Sequence, residues 1–165
     1  MRIGLFYGSS SGDSERIALL IQNKIGSTNI TLHNIIDAKV EDLNAYQFLI
    51  LGISTWGIGK MQEDWELFLS DLKNLKCYNK KIAIYGLGDQ ESYPDTFVDA
   101  LGILYDIIIS AGCSVIGEWP VTGYNYFASK AERNGTFVGL VLDERNQPDL
   151  TEQRIDLWLR KINLI

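Results

Sequence analysis

The chain has 165 residues, 46% of them apolar and 22% charged, which suits one well-buried core. Fifteen basic against twenty-one acidic residues leave a net charge of −6. That balance disfavours nucleic acid and anionic membrane as partners and favours a basic protein surface. One histidine and two cysteines outside any C-x-x-C pattern give no support for zinc, iron–sulfur or haem sites. A Ser–His–Asp hydrolase would have to use His33, which falls in an apparent strand and reads as structural. The N-terminal segment is too short and polar for a secretory leader, and no apolar run is long enough to span a bilayer. The expectation is a single cytoplasmic domain over residues 1–165, with Cys77 and Cys113 reduced.

Taken in chain order, the pattern alternates strand and helix. Ile3 to Tyr7 reads as a strand. Gly8-Ser9-Ser10-Ser11-Gly12-Asp13-Ser14 follows as a turn of small hydroxyl residues. Ile17, Leu20, Ile21 and Ile25 then mark one face of a helix. Ile30 to Asn34 is a second strand. Phe48 to Ile53 is a continuous apolar run, as a strand buried on both faces requires. Trp65, Phe68, Leu69 and Leu72 keep helical spacing. Ile82 to Tyr85 is another buried strand, and Phe97, Leu101, Leu104 and Ile108 form the next helical stripe. Val115-Ile116 starts a fifth strand, with 137–142 its continuation or neighbour. Ile155, Trp158, Leu159 and Ile162 close the chain as a helix, with Thr151 as its N-cap. Such alternation predicts an α/β fold, a doubly wound five-stranded parallel sheet of order 2-1-3-4-5. The ligand crevice of that order lies beyond the carboxyl ends of strands one and three.

Three loops therefore matter. The first, Ser9-Ser10-Ser11-Gly12-Asp13-Ser14, sits between a strand and a helix start, where backbone N–H groups and the helix dipole favour a phosphate. It lacks the Gly-Lys-Ser/Thr ending of an NTPase loop and the three-glycine spacing of a dinucleotide fold. Its nearest cation is Arg16, so hydroxyls and amides would do most of the holding. The second, Ser54-Thr55-Trp56-Gly57-Ile58-Gly59-Lys60, places a tryptophan between small residues. The third runs from Gly86 to Pro94 and includes Leu87, Gly88, Asp89 and Tyr93. Two aromatics beside a phosphate pocket can clamp a planar ring, and Asp89 can accept from a ring N–H. Flavin mononucleotide (FMN) fits that outline. Taken alone, each feature also has a plainer reading: an ordinary polar turn, a loop tryptophan folded back on the core, glycines needed for tight turns.

These residues resemble the flavodoxin family along nearly the whole chain. The first loop is similar to T/S-x-T-G-x-T, the second to P-T-W-x-x-G and the third to G-x-G-D-Q-x-x-Y. The segment from Glu118 to Gly135 resembles the insertion that interrupts the last strand in long-chain members. The resemblance implies a low-potential one-electron carrier with noncovalently bound FMN. Ser9, Ser11, Ser14 and the backbone of 10–14 would hold the phosphate. Trp56 and Tyr93 would flank the ring, and Asp89 with backbone groups near Gly57, Gly59 and Gly88 would meet its polar edge. Ser54, Thr55, Ile58 and Leu87 complete the expected lining. A flip of the Gly57–Ile58 peptide would offer the Gly57 carbonyl to the flavin N5–H. A flavodoxin/ferredoxin–NADP reductase or another reductase would act upstream of a monomeric carrier, and acceptor redox enzymes downstream. The competing class is an FMN-dependent NAD(P)H:quinone reductase-like enzyme of the same fold.

The chain departs from the family pattern at several points. Asp13 puts a carboxylate in the phosphate turn and is expected to weaken phosphate affinity. Ser54 stands where proline is usual and is expected to loosen the tryptophan loop. Leu87 replaces a threonine that often touches the flavin, and Arg145 replaces an acidic residue.

Overall fold

The computed structural model describes residues 2–165. Its elements run β1 Ile3–Tyr7, α1 Asp13–Ile25, β2 Ile30–Asn34, α2 Val40–Asn44, β3 Phe48–Trp56, β4 Lys60–Met61, α3 Glu63–Phe68 and β5 Lys81–Leu87. Then come α4 Asp99–Ser110, β6 Val115–Ile116, β7 Trp119–Pro120, β8 Glu132–Arg133, β9 Thr136–Phe137, β10 Leu140–Leu142 and α5 Thr151–Lys161.

Strands β2, β1, β3 and β5 lie side by side, all parallel. The fifth position is filled twice. β6 pairs with the start of β5 at Ile82 and Ala83, and β10 pairs with its end from Tyr85 to Leu87. The expected order 2-1-3-4-5 is therefore the observed one, with its last strand split. Between the halves, β7, β9 and β8 form a small antiparallel sheet. This inserted segment grips the chain before α4: Phe127 and Ala128 N–H both donate to the Pro94 carbonyl, and Phe97 N–H donates to the Ala128 carbonyl. Aromatic contacts among Phe97, Tyr124, Tyr126 and Phe137 pack it against that chain. Strand residues from Phe48 to Ile53 and Ile82 to Leu87 are buried throughout, as helices on both faces of the sheet demand.

Five local expectations are revised. The tryptophan loop is shorter than its sequence reads, because β3 continues to Trp56 and pairs antiparallel with β4. Only 57–59 turn. The helical stripe beginning at Trp65 is α3 for one turn and a 3₁₀ helix from Leu69 to Asn74. Phe97 precedes α4 rather than lying on it. Thr151 is the first residue of α5 and caps nothing; its hydroxyl bonds the Glu144 carboxylate instead. Finally, Cys77 and Cys113 are joined in a disulfide, with Cα atoms 4.9 Å apart at a sequence separation of 36. Sequence spacing hides this pairing. The fold brings the segment before β5 and the segment after α4 to the same end of the sheet, opposite the crevice. Among the described residues, no helix is long and apolar enough to cross a membrane.

Candidate cofactor site

The carboxyl ends of β1, β3 and β5 open into a cleft of about 340 Å³. Ser11, Asp13, Ser54, Thr55, Trp56, Gly57, Leu87, Gly88, Asp89, Ser92, Tyr93, Glu144 and Arg145 line it. Most of the expected site residues thus converge in one place. Ser9, Ser10, Gly12 and Ser14 belong to the same turn but lie outside that lining, as do Ile58 and Gly59 at the tip of the second loop.

At one end of the cleft stands the N-terminus of α1. Gly12 takes a left-handed conformation, φ +89°, and no side chain caps the helix. An uncapped helix of 13 residues leaves its first N–H groups without intrahelical partners. They are aimed where an anion is most favoured. Ser9 Oγ accepts the Gly12 N–H at 2.9 Å and shapes the turn. Ser14 is buried, and its backbone carbonyl accepts from the Tyr85 hydroxyl at 3.4 Å. Asp13 works against an anion, but its charge is partly met by Arg16 at 3.5 Å, which also pairs with Glu144 at 2.5 Å.

At the other end stand the two aromatics. Trp56 is 38% exposed and Tyr93 39% exposed, both on the cleft. Large apolar side chains rarely stay uncovered together on a concave surface unless something covers them. The Trp56 indole is held by a hydrogen bond from Nε1 to Ser54 Oγ at 2.9 Å. Ser54 therefore fastens the tryptophan, where its substitution for proline had pointed to a looser loop. The tip beyond Trp56 is tight. Gly59 N–H donates to the Gly57 carbonyl at 3.0 Å, and Gly57 has φ +50° with open space around it. Thr55 Oγ1 accepts the Ala100 N–H at 3.0 Å and ties this hairpin to α4.

Asp89 is already engaged. Its Oδ1 accepts from Ser92 N–H at 3.0 Å and from Asn146 Nδ2 at 2.9 Å. Burial pushes its pKa up, but these hydrogen bonds outweigh that and hold the carboxyl below its ordinary value. It is thus an anion at the cleft edge. Leu87 presents an apolar wall there, with no hydroxyl to offer.

Sequence reading missed the supports beneath these loops. Asp143 is fully buried and accepts from Gln90 N–H, Gln90 Nε2, Arg145 N–H and Asn146. It fixes the third loop to the chain after β10. Gln62, also fully buried, joins the first loop to the second. Val98 is a buried β-branched residue at φ +49°, a rare conformation. Its Cγ1 packs against Gly88, leaving no room for a side chain there. The available signal was weak in each case: a lone Gln before an acidic turn, and an Asp after a strand.

Residues 5–158 match the family described as flavodoxin. The flavodoxin of Synechococcus elongatus is 47% identical over 162 residues, 98% of this chain and 95% of its own. Flavodoxin 1 of Escherichia coli is 42% identical over 161 residues, 97% of this chain and 92% of its own. The crystal structure of Fusobacterium nucleatum flavodoxin bound to flavin mononucleotide superposes with a TM-score of 0.93 at 30% identity, covering 98% of this chain and 96% of that one. Sheet order, split fifth strand, cleft and sequence agree: the chain belongs to the flavodoxin family, in its long-chain branch.

Proposed function

We propose that the cleft at the carboxyl ends of β1, β3 and β5 is where this flavodoxin holds its FMN. The protein is an FMN-binding electron carrier, an electron-transfer protein rather than an enzyme. The uncapped N-terminus of α1 with Ser9, Ser10, Ser11 and Ser14 would take the phosphate. Trp56 and Tyr93 would cover the two faces of the isoalloxazine ring, and the backbone at 57–59 and 88–89 would meet its polar edge. The observation that carries this assignment is the pair of uncovered aromatics lining one cleft that ends in an uncapped helix. Bound FMN supplies one-electron redox chemistry. The chain's part is to exclude water from the ring faces and to set the local charge. Asp89, held ionised, disfavours further negative charge beside it. Together with the apolar walls of Trp56, Leu87 and Tyr93, it biases the site toward strong reducing power.

The partners follow from charge. Glu63, Asp64 and Glu66 fall in the first turn of α3, just after the Trp56 hairpin. We infer docking to a basic surface on a flavodoxin/ferredoxin–NADP reductase or another reductase upstream, and on acceptor redox enzymes downstream, with the carrier a monomer in the cytoplasm. A reducing cytoplasm would open the Cys77–Cys113 bridge. Ser11→Ala combined with Trp56→Ala tests the site assignment. Weakened FMN binding, measured by fluorescence titration of the apoprotein, supports it; wild-type affinity in the double variant places the cofactor elsewhere.

A further inference from the structure

Gln62 has no exposed surface and yet carries a full amide. Its Oε1 accepts the backbone N–H of Trp65 at 3.2 Å. Only the amide oxygen can do that, so the orientation of the amide is settled. Nε2 must then face the other side, where it donates to Asp64 Oδ2 at 2.9 Å and to Ser10 Oγ at 3.1 Å. The main chain is engaged as well: Gln62 N–H donates to the Ser54 carbonyl at 3.0 Å. One buried residue therefore touches the hydroxyl turn through its side chain and the tryptophan hairpin through its backbone. The approach is close enough that a Cβ on Gly8 would collide with Gln62 Oε1. Glycine at that position is what lets the amide reach Ser10.

The chemistry of Ser10 follows. The lone pair of a carboxamide nitrogen is delocalised into its carbonyl, so this N–H₂ only donates and Ser10 Oγ is the acceptor in this contact. Its own O–H must point elsewhere. Among the described residues that proton has no acceptor, and Ser10 is otherwise exposed at the turn. We propose that Gln62 is a positioning residue that presents the Ser10 hydroxyl as a donor to the cofactor's phosphate, and so sets this chain's preference for FMN over unphosphorylated riboflavin. The proposal rests on the assignment of residues 9–14 as the phosphate site.

Gln62→Glu is the informative change, because it preserves shape and reverses the hydrogen bond. A carboxylate there accepts the Ser10 proton and withdraws it from the phosphate, and adds negative charge nearby. A hydrogen bond to a charged group corresponds to about a 10- to 100-fold effect on affinity. The experiment titrates apoprotein with FMN and, separately, with riboflavin, for wild type, Gln62→Glu, Ser10→Ala and the double variant. FMN affinity should fall by about tenfold or more in Gln62→Glu, while riboflavin affinity moves by less than about threefold. In the Ser10→Ala background the further loss from Gln62→Glu should be smaller, since the hydroxyl it acts through is gone. Lowering the pH protonates the introduced glutamate, whose O–H can donate to Ser10. The FMN-to-riboflavin affinity ratio of the variant, relative to wild type at the same pH, should then recover. If Ser10→Ala lowers that ratio and Gln62→Glu leaves it at the wild-type value, the role given to Gln62 is wrong. If both leave it unchanged, neither residue acts on the phosphate and the proposal is wrong; the phosphate assignment itself fails only if wild type binds FMN and riboflavin equally. Should Gln62→Glu fail to fold, Gln62→Met removes the donor at similar volume and should lower the ratio in the same direction; a wild-type ratio there overturns the proposal.

Discussion

Truncating either aromatic of the cleft should weaken FMN binding by an amount that exposure sets. Trp56 retains 38% of its surface and Tyr93 39%. A tryptophan presents roughly 250 Å² and a tyrosine somewhat less, so each leaves about 80–95 Å² for the ring to cover. At about 25 cal/mol per Å², that is about 2 kcal/mol for each residue. Stacking geometry adds roughly 0.5–1.5 kcal/mol. Trp56→Ala or Tyr93→Ala should therefore raise the Kd for FMN by about 30-fold or more. Trp56→Ala has a second consequence, because water gains access to one ring face. The added dielectric screens the Asp89 charge, so the second, more negative potential should become less negative. Fluorescence titration of the apoprotein measures the Kd, and a spectroelectrochemical titration measures the potentials. Neither variant removes a core residue, since both side chains are already half in solvent, so loss of fold is not an explanation for a weaker Kd. Wild-type affinity and potentials in both variants would refute the clamp.

The turn after Trp56 gives a separate test. Gly57 has φ +50° and nothing within 4 Å of a would-be Cβ, so Gly57→Val acts through backbone strain alone, about 1–3 kcal/mol. The two one-electron potentials should draw together while the Kd of oxidised FMN changes less; wild-type potentials would exclude a peptide flip there. Docking through Glu63, Asp64 and Glu66 should slow as salt rises, because exposed charges are screened beyond about 8 Å at physiological ionic strength. A salt-independent stopped-flow rate with a reductase contradicts it. The Cys77–Cys113 bridge closes a 36-residue separation, worth about 4 kcal/mol in loop-closure terms. Urea unfolding of the apoprotein should thus show a lower midpoint with dithiothreitol than without, and equal midpoints would count against a formed bridge. His33 is stacked on Phe6 and bonded to Tyr46 at 2.8 Å. Burial, then Arg2, lowers its pKa below 6.5, against the opposing pull of Asp42. A base with a depressed native pKa takes up its proton more readily unfolded, so stability falls as pH drops below 6.5. His33→Asn should flatten that part of the pH profile, read from urea midpoints at pH 5 and pH 7; an unchanged slope would assign it to other groups.

What the sequence revealed and what it concealed divide along a physical line. The sheet was readable because buried parallel strands must be continuously apolar, and 48–53 and 82–85 are. The loops were readable because hydroxyls and glycines after a strand, and aromatics in a polar loop, have few uses in a core. The split of the fifth strand was half readable: Val115-Ile116 and 137–142 both look extended, but which half meets which end of β5 depends on register. The hairpin β3–β4 was not readable, since Lys60-Met61 is too short to show a period.

The supporting residues were hidden for a different reason. Gln62, Gln90 and Asp143 are buried polar groups, and a buried polar group is tolerable only where partners from other segments satisfy it. Ser10 lies 52 residues from Gln62, and Asp143 lies 53 from Gln90. No local pattern encodes such a partner. The same fact explains why these residues matter: the three loops leave the sheet separately, and each is anchored by an amide or carboxylate from another part of the chain. Asp143 accepts from the third loop at Gln90 and from Asn146, which in turn donates to Asp89. Gln62 spans the first and second loops. Thr55 accepts from the start of α4 and completes the circuit. A flavin bound across all three loops would therefore meet a frame whose parts are already fixed to one another, and less of its binding energy would go into ordering them.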